Sequence, residues 1–441
     1  MKTSNRTRKL ALIALSSTAV VAAQAQDWPQ WRGPNRDGRA TGFNTPKTWP
    51  KELAQKWKVA VGEGVSTPAL VGDKLFVFAR QDGNEILRCH DAATGKELWQ
   101  DKYESLGSSG PSQGFSGPRS SPAVAEGKVV TIGVRGMISC LDAATGKRLW
   151  RKDDFQAYPN FFQSSSPIVV NGLCIAQLGG RENGAIVAYD LATGDPKWKW
   201  SGGSPTHASP VLATIGGEKL ILAQTESSFV AVRPADGKLV LEVGGAAPGG
   251  GGGGRGGRGG GRDYKAATPI VDGDTVILTG GATKVLKIEK QGDGFAAKEV
   301  WSNSEKPVVF NTPILKNGFL YGLTPGNELF CVNAQSGQAA WAAPSAKPAA
   351  DGAPPAGGGG GGGRGRGGMG GGGFGSIVDA GSALLALTPS SELIAFDPSD
   401  KAFTELARIK VADSQTHAHP VLSGNRIFIK DRDSVALWTI N

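Results

Sequence analysis

Two short runs of this sequence place imidazoles beside hydroxyls and a proline: Thr206-His207-Ala-Ser-Pro-Val-Leu and Thr416-His417-Ala-His419-Pro-Val-Leu. Histidine is the side chain most often used to hold a metal or move a proton near neutral pH. His417 and His419 are close enough in sequence to chelate one ion. Four cysteines, Cys89, Cys140, Cys174 and Cys331, could in principle supply thiolates or disulfides. They include no adjacent pair and no C-x-x-C-H haem-attachment site, and no carboxylate pair can be placed beside a calcium-sized pocket. No acid/base pair for polysaccharide hydrolysis or lysis can be placed either. We therefore expect no metal site and no catalytic residues.

The elements that must position these residues emerge from a repeat. Ser/Thr-Pro followed by an apolar run occurs at Thr67, Ser121, Ser166, Ser209, Thr268 and Thr312, with degenerate copies at Ser376 and His419. Successive copies are 54, 45, 43, 59, 44, 64 and 43 residues apart, and the long intervals contain insertions of Gly, Ser and Pro. Each unit reads as four short strands rich in β-branched residues and bounded by Gly, Asn and Asp turns. We find no convincing amphipathic helix. Eight such units predict an all-β, eight-bladed β-propeller of four-stranded antiparallel blades over residues 51–441, in which radial repetition buries both faces of each blade. The last unit has room for only three strands. The segment around Trp57 resembles a fourth strand without a blade, so an N-terminal strand is expected to close the ring and remove its exposed edge.

The third turn of several units carries a repeated signature. It reads Asp91-Ala-Ala-Thr-Gly95-Lys-Glu-Leu-Trp99, Asp142-Ala-Ala-Thr-Gly146-Lys-Arg-Leu-Trp150 and Asp190-Leu-Ala-Thr-Gly194-Asp-Pro-Lys-Trp198, with a weaker copy ending Gly337-Gln-Ala-Ala-Trp341. This pattern resembles the docking motif of PQQ-type (quinoprotein) propellers, found in BamB-type outer-membrane assembly scaffolds and in quinoprotein alcohol dehydrogenases. Its mechanics are structural: Gly permits a left-handed turn, Asp can bond turn amides, and Trp wedges between blades. Blade 4 keeps only Asp236-Gly237, with Leu241 at the Trp position. Blade 7 has Asp397 to Asp400 and no Trp, so these two blades are expected to dock less tightly. Asp27-Trp-Pro-Gln-Trp31-Arg-Gly-Pro, within an N-terminal extension over 26–50, resembles the opening of exported PQQ-like propellers.

For the dehydrogenases, the resemblance implies a PQQ–calcium site, an Asp base and a disulfide between adjacent cysteines. The last is absent. Cys89, Cys140 and Cys331 sit two residues before the motif Asp or Asn, where other units have Ala188 and Ala395, and so read as small core residues. The first expectation is a non-catalytic binding or assembly scaffold without cofactor. The alternative is a PQQ-dependent oxidoreductase of the alcohol dehydrogenase type, carrying PQQ with calcium.

Loops at one face of a propeller usually carry its function. Just ahead of the innermost strands lie Arg119, Gln163, His207, Lys265, Asn311 and His417. With His419, they are expected at the axial mouth, either as solvated rim groups or as a polar, partly cationic funnel for a protein, a peptide or an anionic small ligand. His207 and His417 belong to blades 4 and 8 and should face each other across the axis, too far apart to share one metal.

Residues 1–25 read as a signal peptide: a basic start, an apolar run from Leu10 to Ala22, and Ala23-Gln24-Ala25 as the cleavage site. No cysteine at that site calls for a lipid anchor, and no segment is long and apolar enough to span a bilayer. A periplasmic or secreted monomer is expected. Outside this leader and two Gly/Arg-rich loops at 244–262 and 352–375, basic and acidic residues balance at 39 each. The high isoelectric point thus gives no support for a specific nucleic-acid surface. The two loops are expected to be disordered, emerging on the face of the histidine rim. Their five arginines offer at most loose attraction to anionic envelope polymer.

Overall fold

In the computed structural model, which describes residues 27–244, 265–346 and 374–440, eight four-stranded antiparallel sheets follow one another around an axis. The signal-like leader and nearly all of both Gly/Arg-rich loops lie outside the described residues. The described residues are all-β apart from one short 3-10 turn, Gly110–Phe115. Blade 3 shows the pattern: Ile168–Val170, Leu173–Leu178, Ala185–Asp190 and Pro196–Trp200 pair in chain order from the axis outward. Its second and third strands are buried almost throughout and its outermost strand is largely exposed, as expected when both faces of a blade pack on neighbours.

Ring closure follows the sequence expectation. Ala54–Ala60 pairs antiparallel with Ser434–Thr439, giving the three C-terminal strands of blade 8 their outer strand.

The docking motif has a concrete geometry. Each indole lies on the turn glycine of the next blade: Trp57 on Gly95, Trp99 on Gly146, Trp150 on Gly194, Trp198 on Gly237 and Trp301 on Gly337. Those glycines have φ from +70° to +77°, and a Cβ on any of them would come within 2.8 Å of the ring. Glycine is required there for both reasons. Except at Trp99, whose buried indole N–H has no partner among the described residues, the indole N–H donates to a carbonyl of the same turn, as from Trp150 to Leu191 at 3.0 Å and from Trp198 to Pro234 at 2.9 Å. Opposite four of the tryptophans stands a small or slim residue: Cys89 faces Trp99, Cys140 faces Trp150, Ala188 faces Trp198 and Cys331 faces Trp341. The four cysteines are buried and unpaired, and burial pushes the Cys140 thiol up to about 12.

Three blades depart from the motif. In blade 4 the turn begins at Arg233, whose carbonyl accepts from Gly237 N–H, so Arg233 rather than Asp236 occupies the Asp position. Its guanidinium pairs with Glu218 at 2.6 Å. In blade 5 the third turn shortens to a tight hairpin between Gln291 and Gly294, which erases the motif and hides Trp301 from a motif search. In blade 7 Ala407 takes the Trp position, opposite Ala395, in the cluster that also holds Trp57 and Val59 of the closing strand.

Five of the Ser/Thr-Pro hydroxyls latch neighbouring blades together. Thr67 N–H donates to Ser121 Oγ (3.1 Å), Ser121 N–H to Ser166 Oγ (2.9 Å), Ser166 N–H to Ser209 Oγ (2.9 Å), Thr268 N–H to Thr312 Oγ1 (3.0 Å) and His419 N–H to Thr67 Oγ1 (3.0 Å). The innermost strands have no sheet partner on their axial side, so the neighbouring hydroxyl satisfies an otherwise buried amide. Ser166→Ala strands the Ser121 amide and is expected to cost about 1–2 kcal/mol, read as a lower urea midpoint.

Candidate functional site

The axis is filled from one end by the chain's own N-terminal segment, which bonds to all eight blades. Trp28 exchanges backbone bonds with Leu70 of blade 1, and Pro29 accepts from Val124 of blade 2. Arg36 donates to the carbonyls of Ser166 and Pro167 in blade 3 and of Pro210 in blade 4. Trp31 Nε1 donates to Thr268 Oγ1 of blade 5 at 2.9 Å. Arg32 donates to Thr312 (2.8 Å) and Pro313 (3.0 Å) of blade 6. Gly38 and Ala40 pair with Asp379 of blade 7, and Gly42 and Asn44 with Gly424 of blade 8. Both arginines are buried, at 1% and 3% exposure. Burial pushes Arg32 down to about 10 and Arg36 to about 9, which leaves both charged at neutral pH. Nothing local in the sequence marks Arg32 and Arg36 for a role. Their burial depends on the axial carbonyls of blades far apart in sequence.

At the other end Trp31 forms the floor of a cavity of about 150 Å³ at the axial mouth. Its walls come from the loops between blades. Phe310 and Phe374 stack at 4.6 Å, Phe374 meets His417 edge-on at 4.8 Å, and Phe115, at the end of the 3-10 turn, lies 5.2 Å from His417. Phe374 falls within the second predicted disordered loop, yet it packs here. Ser164, Ser166, Ser209 and Thr312 supply hydroxyls.

Of the seven residues expected at the mouth, the structure brings Arg119, His207 and His417 together on this cavity. Arg119 donates to the carbonyls of Phe161 and Phe115. Phe161 and Phe162 hold φ of 65° and 69°, a left-handed pair uncommon for bulky residues. Burial lowers Arg119 to about 10. His207 Nδ1 lies 3.1 Å from Ser164 Oγ, and burial with the Arg119 charge pushes its imidazole down to about 4. Burial alone pushes His417 to about 4. Both rings are therefore neutral at pH 7.

The remaining four lie elsewhere. Gln163 is buried and donates to Gln177 O at 2.9 Å, and Asn311 is buried and donates to Leu323 O at 2.9 Å. Each donates to a carbonyl at the end of its own blade's second strand. Lys265 reaches sideways to the carbonyls of Thr225 and Glu226. His419 is buried below the floor, 4.5 Å from Trp31, and so is separated from His417. The mouth that the sequence suggested as partly cationic is walled largely by aromatic rings. Among the described residues, no group of three or more His, Cys, Asp or Glu is arranged to hold a metal ion.

A ring of eight blades docked tryptophan to glycine, with latched inner strands, is the architecture of the PQQ-type propellers. The chain belongs to the family described as outer membrane protein assembly factor BamB, whose model matches residues 83–343, more than half of its length. It is 29% identical over 191 residues to a quinohemoprotein alcohol dehydrogenase of Comamonas testosteroni, covering 41% of this chain and 26% of that protein. It is 31% identical over 124 residues to the outer membrane protein assembly factor BamB of Xanthomonas campestris pv. campestris, covering 27% of this chain and 28% of that protein. The chain thus spans only about a quarter of the curated relatives it matches. Among solved structures, BamB of Moraxella catarrhalis superposes with a TM-score of 0.60 at 14% identity, covering 88% of this chain and 100% of that one. The Comamonas testosteroni dehydrogenase superposes with a TM-score of 0.65 at 16% identity, covering 95% and 81%. At these identities the superpositions establish the fold alone.

Proposed function

We propose that this protein is a non-catalytic binding or assembly scaffold of the cell envelope, engaging its partner at the axial mouth. One observation carries the reading: among the described residues the lining of the central cavity includes no Asp or Glu, its histidines are neutral, and its cation, Arg119, already donates to two backbone carbonyls. An imidazole held near 4 is a poor base at neutral pH. The name of the matched family and the signal-like leader support an envelope location. No helix among the described residues is long and apolar enough to cross a membrane.

The dehydrogenase relatives favour a second reading, in which PQQ and calcium occupy this cavity. The residues present do not fit that pair. Calcium is held by several oxygen ligands, usually including carboxylates, and none of the described residues lining the cavity supplies a carboxylate.

Two measurements test the proposal. Deleting the gene is expected to lower the levels of outer-membrane β-barrel proteins, with recovery on re-expression, and unchanged levels would overturn the scaffold reading. Mixing the purified mature protein with PQQ and calcium is expected to give neither bound-cofactor absorbance nor dye-linked alcohol oxidation. Saturable binding with turnover would establish the second reading.

A further inference from the structure

We propose that the axial cavity binds a single phenolic ring. The inference rests on the reading of the mouth as a binding site and adds the chemistry of what enters it.

Size is the first argument. An apolar cavity of roughly 150 Å³ is large enough for a benzene ring, and this one measures about 150 Å³. Shape is the second. Trp31 contributes an indole to the lining, and Phe115, Phe310, Phe374 and His417 line it as a cluster of rings with centroids 4.6 to 5.7 Å apart. Flat rings meeting at stacked and edge-on angles suit another flat ring, which gains from both arrangements.

Polarity is the third argument, and it selects the substituent. Both ring nitrogens of His417 are buried without a hydrogen-bond partner. A neutral imidazole has one donor and one acceptor to satisfy. Ser166 Oγ, Ser209 Oγ and Thr312 Oγ1 each accept a backbone N–H from the preceding blade, so each retains its own O–H to donate. A phenol hydroxyl can donate to the imidazole and accept from a hydroxyl. A carboxylate is disfavoured, because Arg119 is committed to the Phe161 and Phe115 carbonyls and an unpaired buried anion is costly.

The probe is p-cresol, titrated calorimetrically into the purified mature chain. Binding is expected to saturate at one per chain and to be about tenfold or more tighter than that of methylcyclohexanol, which lacks the flat face, or of p-toluate, which carries the anion. Ala266→Leu fills the cavity from a small wall residue and is expected to weaken p-cresol binding by about tenfold or more, with circular dichroism and melting temperature reporting an intact ring. His417→Leu is expected to weaken p-cresol while retaining toluene. Absence of saturable p-cresol binding, or binding unaltered by Ala266→Leu in a folded variant, overturns the proposal. The ring could belong to a free molecule or to a partner's tyrosine. A blocked Gly-Tyr-Gly peptide that binds assigns it to a tyrosine, and exclusion of the peptide with p-cresol retained assigns it to a free molecule. If p-cresol fails while gene deletion still depletes outer-membrane β-barrels, the phenol assignment falls and the scaffold reading stands.

Discussion

Replacing Arg36 with methionine is expected to destabilise the propeller by about 4–5 kcal/mol, seen as a large drop in the urea midpoint. Arg36 is buried, and its guanidinium donates to Ser166, Pro167 and Pro210 carbonyls and to Gln30 Oε1 at 3.0 Å. Those carbonyls start the innermost strands of blades 3 and 4 and face the axis. Methionine fills similar space but leaves them unmatched in a site closed to water, and each such loss costs about 1–3 kcal/mol. Arg36→Lys should rescue little, because a point ammonium cannot reproduce a planar fork reaching two blades. Arg39 provides the control. It also donates to a carbonyl, that of Leu315 at 3.0 Å, but in an exposed position, so Arg39→Met should lie within about 0.5 kcal/mol of wild type. Equal stability of the two variants would remove Arg36 from the axle.

Stability is expected to fall steeply as pH drops from about 6.5 to about 4, by up to about 3 kcal/mol for each of His207 and His417. Both are held near 4 in the folded protein against 6.5 unexposed to such burial. Between these values the unfolded chain takes up protons that the native chain refuses, so acid favours unfolding. The contribution is intact above 6.5 and lost as pH falls through 4. His90 and His419 are lowered in the same direction by burial, so all four histidines act together. The turn carboxylates Asp91, Asp142 and Asp190 are lowered from 3.8 by turn hydrogen bonds and, for Asp190, Lys197, so their loss comes at still lower pH. A His207→Gln/His417→Leu variant should show a flatter denaturation midpoint between pH 6.5 and 4. Parallel profiles for the variant and the wild type would refute the assignment.

The sensitivity of the two regions differs because their partners differ. The docking turns were legible in the sequence: Asp142, Gly146 and Trp150 act within a few residues or on the equivalent turn of the next unit, so each repeat copies its own solution. Trp301 was missed because its blade replaces the motif turn with a tight hairpin, although the indole still lands on Gly337. Arg233 in place of Asp236 is a similar slip of register within an eroded turn. At the mouth, position before a Ser/Thr-Pro located Arg119, His207 and His417 correctly on the cavity. It could not separate them from Gln163 and Asn311, whose amides turn back to carbonyls of their own blades.

What the sequence by itself determined is the periodic part: eight units, four strands each, the closing strand at Trp57, and most of the tryptophans and glycines that join blades. These follow from local alternation and from contacts repeated at a fixed interval. Only the tertiary structure decided what fills the axis and what the mouth is made of. Arg32 and Arg36 are ordinary exposed residue types until carbonyls from blades 3, 4 and 6 converge on them. Phe115, Phe310 and Phe374, drawn from three separate loops, become one aromatic wall only when the ring closes. Periodicity places an inner strand beside its neighbours, whereas the axis is the one region where every unit meets every other, and no local pattern records that.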